Sequence, residues 1–501
     1  MEKTALWLTL GIYLAAMFGI GIVEGRKSKS VADLTVGGRN AGAWLSALSY
    51  GTAYFSAVMF VGYAGGTGLK YGLWGILAGI GNCIFGSWLA WRVLARRTRD
   101  TAARLKLKTM PDFLEKRYGS KAMKTFASVV IFVFLVPYSA SVYKGLASVA
   151  EVLLDVDVNI CMIVIAVVAL LLLVLGGYLV QARADFVQGI VMMIGITLLI
   201  VFVIRCDRVG GLAGLAEYTK SDWGFAPLKA KDWVSLWATV LMTSFGTWGL
   251  PQMVQKYFGI KDDAQAKRGI TISTFFALLV AGGGYFIGSL CHRFFTVGVD
   301  MPAQDYIVPQ MLRAADLPVI LLGVVMVLLI SASVSTLCSV TLTACSTVSI
   351  DLIKAHVPSM TDKRTAKLTK IFCAVFVVLS YIVANTDTPI LDMMSYSWGI
   401  ISGSFLAPYV LALYYKKLNR SGAWCGILTG FSVALVPAVA KVITMFGGTH
   451  EAVALLAAQG PTFACIAMVA SIIVCVAVSE ITQKKCPADS EFFYKGIIEK
   501  E

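Results

Sequence analysis

The chain has 501 residues, of which 58% are hydrophobic and 14% are charged, and its mean hydropathy is +0.77. Because soluble domains carry about a quarter charged residues, this composition excludes an ordinary soluble protein and indicates an all-α polytopic membrane protein. The net charge of +14 does not indicate a nucleic acid partner. The basic residues cluster in alternate loops, which is the pattern that orients a membrane protein. The sequence has no phosphate-binding loop and no Cys/His spacing suited to zinc, so we expect no enzyme.

About thirteen apolar segments are long enough to cross a hydrocarbon core as helices, which takes about 20 residues each. They are residues 4–24, 43–68, 72–92, 122–154, 158–178, 185–204, 233–255, 270–292, 317–350, 366–385, 390–415, 422–446 and 460–483. Basic residues fall in alternate loops, at 26–39, 96–117, 256–268, 363–370 and 416–420. The positive-inside rule then predicts an extracellular N-terminus and a cytoplasmic C-terminus in the cell membrane, with the bilayer lipid as a partner.

Two of these spans are interrupted by helix-breaking residues. Gly51, Thr52 and Ser56 interrupt the second span, and the seventh, "LMTSFGTWGLPQMVQKY" (241–257), contains Gly246, Gly249 and Pro251. Proline and clustered glycine weaken a helix, although glycine-rich spans also serve close helix packing. Paired interruptions at corresponding places in two halves are typical of inverted-repeat transporters, whose unwound backbone binds ions and solutes.

The ninth span carries the hydroxyl-rich stretch "SASVSTLCSVTLTACSTVS" (331–349). Ala332, Ser335 and Thr336 are spaced to share one helix face. Hydrogen bonds to carbonyls of the same helix can account for Ser346, Thr347 and Ser349. Two hydroxyls and three exposed carbonyls would make a five-oxygen cage that suits the hard sodium ion, so we expect this helix to hold sodium.

The chain resembles the sodium/solute symporter family, in particular the bacterial sodium/proline and sodium/pantothenate symporters. The resemblance rests on "GGRN" (37–40), "LSYGTAYFS" (48–56), "GLPQ" (249–252), "ASVSTLCS" (332–339), "YSW" (396–398) and "KKLNRSGAWCGILTG" (416–430). It implies a LeuT-like core of two inverted five-helix repeats. The corresponding division is 1–42 (leading helix and loop), 43–204 (first repeat), 205–232 (extracellular loop), 233–415 (second repeat), 416–484 (two trailing helices) and 485–501 (cytoplasmic tail).

The resemblance also implies a sodium site. Its ligands would be the carbonyls of Thr52, Phe55 and Ala332 and the hydroxyls of Ser335 and Thr336.

Asp185, in "QARADFVQ" (181–188), matches a family aspartate near the sodium exit path. Some relatives bind a second sodium with this aspartate and two further hydroxyls. Those positions are Cys338 and Ser339 here, so one hydroxyl is missing. Asp185 is equally consistent with a polar cap at the start of a helix.

For the solute, the resemblance implies Ser56, Gly62 and Tyr138, while Thr243 and Thr247 replace an aromatic pair of the proline symporters. Tyr54 stands where those proteins have an important aspartate. "GLPQ" and "PAQDYIVPQML" (302–312) look more like the pantothenate symporters, whose substrate is a carboxylate. Trp248 would be an apolar wall or a packing residue.

Lys144 lies inside the fourth span, where a lysine is costly unless it is solvated or paired. It is a candidate counter-charge for an anionic solute or a partner of Glu151. Alternatively, its ammonium reaches the outer interface along an apolar surface.

The sequence therefore predicts a sodium-coupled symporter that imports a small carboxylate or amino acid by alternating access, with sodium and the solute as its ligands. The alternatives are a transporter-like sensor and a carrier of the same fold that uses protons or no ion. A sensor would need an output domain, which the short tail is not expected to supply. The sequence sets no oligomeric state, and a monomer can suffice.

Overall fold

The computed structural model describes residues 2–25, 39–175, 178–225, 227–357, 359–447, 450–484 and 491–494. Within these ranges the chain is helical without a strand, and a single isolated bridge pairs Ala41 with Ile260. The first predicted cytoplasmic loop, apart from its last residues, lies outside the described residues, as do most of the predicted tail and the first two residues of "GGRN".

The helical segments follow one another with short connections. They are Glu2–Gly25, Ala43–Tyr54, Val58–Ala64, Gly65–Tyr71, Gly72–Gly75, Ile76–Gly81, Asn82–Leu89, Trp91–Ala95, Arg96–Arg104, Met110–Tyr118, Lys121–Leu154, Val158–Leu175, Tyr178–Arg205, Gly211–Tyr218, Ala230–Phe245, Gly246–Gly249, Pro251–Phe258, Asp263–Ala277, Leu278–Gly282, Gly283–Ser289, Cys291–Phe294, Gln304–Tyr306, Ile307–Ala314, Val319–Ser346, Thr347–Lys354, Asp362–Ala384, Ile390–Tyr414, Arg420–Met445, Glu451–Ala457, Gly460–Thr482 and Glu491–Tyr494.

Nine helical runs in the described part of the chain are long and apolar enough to cross a membrane, and Trp7–Val23 and Val158–Leu173 are shorter apolar helices. These runs, together with the interrupted second and seventh spans, fall on the predicted apolar segments. The total of thirteen crossings and the inverted repeat stay predictions.

The helices differ in how much of their surface the protein covers. The most apolar part of Ile390–Tyr414 is 89% buried, whereas that of Asp362–Ala384 is 28% buried. Large apolar side chains such as Ile473 and Val469 are exposed on Gly460–Thr482. Exposed apolar surface of this extent suits hydrocarbon rather than water. Ile390–Tyr414 and Val319–Ser346 are therefore central helices, whereas Asp362–Ala384 and Gly460–Thr482 turn most of their apolar surface outward.

The first predicted interruption is confirmed. Helix Ala43–Tyr54 ends at Phe55, whose backbone is extended (φ −105°, ψ 104°), and helical structure resumes at Val58. The resumed segment ends at Gly72, where φ is +53° and an added Cβ would lie 2.0 Å from the carbonyl oxygen of Trp223. Only glycine fits both the backbone conformation and the space at that turn.

The second predicted interruption is confirmed as well. Ala230–Phe245 tightens into Gly246–Gly249, and Leu250 is then extended (φ −79°, ψ 124°). Pro251 begins the half-helix Pro251–Phe258, where its ring fixes φ and its missing N–H costs no helical hydrogen bond. Both breaks therefore form where glycine and proline lower the cost of leaving the helix.

Glycines of the segment 416–430 form a stripe at every fourth residue of helix Arg420–Met445. An added Cβ would lie 1.9 Å from Ser479 Oγ at Gly422, 2.1 Å from Cys475 Sγ at Gly426, and 1.8 Å from the carbonyl oxygen of Gly403 at Gly430. Such spacing lets membrane helices approach backbone to backbone. The motif thus has a packing reason independent of transport.

We expect Gly430→Val to destabilise the protein by about 1–3 kcal/mol or more, because the clash is with backbone that cannot turn aside. Thermal unfolding in detergent measures this as a lower Tm. Gly11→Val is the matched control, since an added Cβ at Gly11 meets nothing within 4 Å. Equal melting temperatures for the two variants would contradict the close crossing.

Candidate ion and solute site

The first break and the hydroxyl helix Val319–Ser346 meet in the buried centre of the molecule. Thr336 Oγ1 lies 3.1 Å from the carbonyl oxygen of Thr52 and 3.0 Å from that of Ala332, and it can donate to either. Ser335 Oγ lies 2.9 Å from Thr52 Oγ1. Phe55 is the extended residue at the end of the same half-helix. The structure thus brings three of the five predicted ligand atoms into direct contact, namely the Thr336 hydroxyl and the carbonyls of Thr52 and Ala332. The Ser335 hydroxyl contacts the side chain of Thr52 instead.

Other hydroxyls of this helix bond within it, as expected. Ser346 donates to the carbonyl of Thr343, Thr347 to that of Ala344, and Ser349 bonds to that of Cys345, at 2.8–3.1 Å. Ser335 differs from them because its hydroxyl contacts side chains of two other helices, those of Thr52 and Asp185.

Asp185 lies within helix Tyr178–Arg205 and is fully buried. The interpretation as a polar cap at a helix start is therefore wrong. Its Oδ1 accepts a hydrogen bond from Ser335 Oγ at 2.6 Å, and its Oδ2 accepts from Ser49 Oγ at 2.5 Å and from Lys256 Nζ at 3.1 Å. The carboxylate thus connects the hydroxyl helix to both broken spans, through Ser49 in the first and Lys256 in the second.

The prediction that the cytoplasmic loop 256–268 begins at Lys256 is wrong. Lys256 lies in the half-helix Pro251–Phe258, is 3% exposed, and forms an ion pair with Asp185. The loop prediction failed because a lysine near the end of an apolar segment looks the same in sequence whether it reaches water or a buried carboxylate. The sequence places Lys256 near a break only through its position five residues after Pro251.

A small cavity, lined mainly by apolar side chains, adjoins Asp185. It has a volume of about 20 Å³, enough for one water-sized occupant, and Gln181, Ser335 and Cys338 also line it. Gln181 Nε2 donates to Ser339 Oγ, the second residue predicted near the exit path. The residues predicted for a second ion therefore do lie together, with an amide and a thiol among them.

Buried aromatic side chains pack together beside the two breaks. The Tyr138 ring lies 5.5 Å from that of Trp398, and the Tyr54 ring 6.1 Å from it. Tyr54 OH donates to the carbonyl of Thr243 at 2.6 Å. Within the described part of the chain, Tyr138 OH and Trp398 Nε1 are buried without a hydrogen-bond partner. Two buried groups able to donate to a solute therefore lie beside each other.

The sequence does not predict the contact between Tyr54 and Trp398. Tyr54 stands in it only as the replacement of an aspartate, and Trp398 only as part of "YSW". Position in the sequence is what could have indicated these two residues, since Tyr54 immediately precedes the first break and Trp398 belongs to "YSW" (396–398).

A sequence model of the sodium:solute symporter family matches residues 35–430. The chain belongs to this family. The osmoregulated proline transporter OpuE of Bacillus subtilis (strain 168) is 26% identical over 98% of this symporter and 98% of its own length. The sodium/pantothenate symporter of Escherichia coli (strain K12) is 26% identical over 84% and 88%, respectively. The family and these relatives are transporters rather than enzymes, and sodium-coupled symport of a small solute is the function class of this chain.

Solved structures show the same fold. A sodium-coupled sialic acid symporter in a substrate-bound, outward-open state has a TM-score of 0.76 at 15% identity, covering 95% of this chain and 97% of that one. A nucleobase-cation-symport-1 family transporter has a TM-score of 0.57 at 12% identity, covering 93% and 98%. The symporter is thus a multi-pass membrane protein with a LeuT-like fold.

Four predicted solute residues of the symporter already have hydrogen-bond partners within the protein. Thr243 and Thr247 donate to carbonyls of the preceding turn at 2.8 Å each, and Trp248 Nε1 donates to the carbonyl of Phe85, on a distant helical segment, at 3.0 Å. Ser56 Oγ accepts from the backbone N–H of Val58 at 3.3 Å and so caps the resumed helix. Their roles in solute binding stay predictions.

Lys144 and Gly62 lie toward the loop that precedes helix Ile390–Tyr414. Lys144 Nζ donates to the carbonyls of Thr386 and Thr388 at 3.1 and 3.0 Å, and an added Cβ at Gly62 would lie 3.0 Å from Ile390 Cγ2.

The suggested pair of Lys144 with Glu151 is wrong, since no ion pair joins these two described residues and Glu151 accepts from Tyr306 OH at 2.7 Å. Lys144 therefore ties its helix to the loop that precedes Ile390–Tyr414, and its role toward a solute stays a prediction.

Proposed function

We propose that this symporter imports a small carboxylate or amino acid together with sodium. The sodium would bind the carbonyl oxygens of Thr52, Phe55 and Ala332 and the hydroxyls of Ser335 and Thr336. The observation that carries the proposal is the direct contact of both hydroxyls with Thr52 at the first break. Neutral oxygens suit a hard monovalent cation that must also be released, because no ligand of the cage carries a full charge.

Sodium would act by joining the first broken helix to the hydroxyl helix. Hydrogen bonds join these helices in the present structure, and coordination to one shared ion would replace them. The solute would then bind between the breaks, near Tyr138 and Trp398. Rocking of one bundle against the other, within two inverted repeats at 43–204 and 233–415, would open the cytoplasmic side.

A large cavity, here called the vestibule, supports the proposal that the solute is an anion. It has a volume of about 560 Å³, in the range of small-molecule sites, and its charged lining consists of Lys70, Lys231 and Asp392 among the described residues. Thr239, one helical turn before Thr243, also lines it. With the N-terminus outside and the C-terminus in the cytoplasm, as the basic loops predict, this vestibule would open to the exterior of the cell membrane. Proline, pantothenate and sialic acid, named for the relatives, all carry a carboxylate.

We expect the double variant Lys70→Gln/Lys231→Gln to raise the KM for a carboxylate solute by up to about fivefold, because solvated charges contribute at most about 1 kcal/mol. The effect should shrink at high ionic strength. Lys220→Gln is the control, since Lys220 is exposed and lies outside the vestibule. Equal KM values for all three proteins would remove the lysines from solute capture.

The function is tested by thermal stability of the purified protein in sodium and in potassium, across a panel of amino acids and small carboxylates. A rise in Tm that requires sodium and one solute together is the expected result, and it identifies the solute class. Uptake of that solute into proteoliposomes should then depend on an inward sodium gradient. Stability and uptake indifferent to sodium would instead establish a uniporter, a proton-coupled carrier or a sensor.

A further inference from the structure

A buried ion pair lies beside the proposed sodium site. Lys256 Nζ is 3.1 Å from Asp185 Oδ2 and 2.8 Å from Ser49 Oγ, and Ser49 Oγ is in turn 2.5 Å from the same carboxylate oxygen. Lys256 is 3% exposed and Asp185 is 0% exposed. Removing two charges from water is expensive, so a pair this deeply buried requires an explanation beyond stability.

The pair contacts the sodium site directly. The other oxygen of Asp185, Oδ1, accepts a hydrogen bond from Ser335 Oγ, which lies 2.9 Å from Thr52 Oγ1. A full positive charge is therefore held on the carboxylate that also binds a proposed sodium ligand. Any second cation at Asp185 would have to displace this ammonium or approach it closely.

We propose that the Lys256 ammonium is a tethered cation that takes the place of a second sodium at Asp185 and limits the symporter to one sodium per cycle. The inference rests on the proposed function, since it presumes sodium at Ser335 and Thr336. At an effective dielectric of 20, like charges about 4 Å apart repel by several kcal/mol, which is enough to exclude the second ion.

Asp185 and the nearby hydroxyls offer ligands for a small cation once the ammonium is removed, at the edge of a cavity otherwise lined mainly by apolar side chains. The adjoining cavity of about 20 Å³ has the size of one small occupant. Asp185 would supply the negative charge, while Ser335 and Ser339 would supply neutral oxygens. The missing hydroxyl at Cys338 weakens such a site without abolishing it, because a carboxylate oxygen is a stronger ligand for a hard cation than a hydroxyl.

Lys256 also carries its charge on an element expected to move. It belongs to the half-helix Pro251–Phe258, which follows the extended residue Leu250 at the second break. Rocking of this half-helix relative to Tyr178–Arg205 would separate the ammonium from Asp185. Because the ammonium is covalently attached to this half-helix, it stays within the protein throughout the cycle and is not released with the solute.

The test counts the sodium ions bound to the purified full-length protein, using radioactive sodium at equilibrium, alongside sodium titrations of Tm. The wild type and Lys256→Arg, which keeps the charge, should each bind one sodium. Lys256→Met should bind two. Its Tm should depend more steeply on sodium, and the additional site should bind sodium at least about tenfold more tightly than any second site in the wild type.

Lys256→Met leaves a buried carboxylate that requires a cation, and so a double variant, Lys256→Met/Asp185→Asn, is the control. It should fold in sodium and in potassium and bind one sodium again. Lys256→Met that is unstable in both salts while the double variant is stable would overturn the inference, because sodium then cannot replace the ammonium. Two sodium ions in the wild type, or one in a folded Lys256→Met, would overturn it too.

These outcomes separate the two proposals. One sodium in both the wild type and Lys256→Met refutes the tethered cation and leaves the proposed function standing. A wild type that binds no sodium refutes the proposed function, and the tethered cation with it.

Discussion

Ser335→Ala and Thr336→Ala should each raise the sodium concentration for half-maximal solute uptake by roughly tenfold to a hundredfold. Each substitution removes one of five proposed oxygen ligands, and hydrogen bonds or ligands to a charged group contribute about 1.5–3 kcal/mol. Initial uptake rates into proteoliposomes, measured over a range of sodium concentrations at saturating solute, give this value directly. We expect the maximal uptake rate to fall by a smaller factor than the affinity for sodium.

Ser346→Ala provides the matched control on the same helix. The Ser346 hydroxyl is equally buried but donates to the carbonyl of Thr343 at 3.1 Å, within its own helix. Its sodium dependence should equal that of the wild type. If Ser335→Ala and Thr336→Ala also behaved as wild type, sodium would have to bind elsewhere in the protein.

Asp185→Asn should destabilise the protein by about 3–5 kcal/mol, because it leaves the Lys256 ammonium buried without its counter-charge. Thermal or chemical unfolding in potassium isolates this effect from sodium binding. Adding Lys256→Met should restore most of the loss, since the double variant has no unpaired charge. The two substitutions are therefore expected to be strongly non-additive.

The control for this prediction is Asp263→Asn. Asp263 pairs with Arg96 at 3.1 Å, but its side chain is 29% exposed and that of Arg96 is 39% exposed. Solvent screening limits such a pair to about 1 kcal/mol or less. Additive effects of Asp185→Asn and Lys256→Met, or equal losses for the two aspartates, would show that the buried pair is weakly coupled.

The features that could be predicted from the sequence are those with local causes. Glycine and proline determine where a helix breaks, so both interruptions were predicted within a few residues of Phe55 and Leu250. The i, i+3, i+4 spacing places Ala332, Ser335 and Thr336 on one face without knowledge of the partner helix. The contact of that face with Thr52 came from the family resemblance rather than from the residues themselves.

The features that were missed depend on which distant segments meet. Lys256 and Asp185 are 71 residues apart, and neither position reveals the other. A hydropathy pattern treats both as boundaries of apolar segments, because it scores a charge without its partner. Tyr54 and Trp398 likewise become a pair only when Ile390–Tyr414 packs against the first break. Tertiary pairing, rather than local propensity, decides these contacts.

The contact of Thr336 with the Thr52 carbonyl bears on the return of the unloaded carrier, a step that every net symport cycle must include. A buried carbonyl deprived of its ion would cost about 1–3 kcal/mol if nothing replaced the ligand. Here the threonine hydroxyl already lies 3.1 Å from that oxygen. If the proposed site binds sodium, this hydroxyl can satisfy the carbonyl whenever the ion has left, and the buried acceptor is then never unpaired.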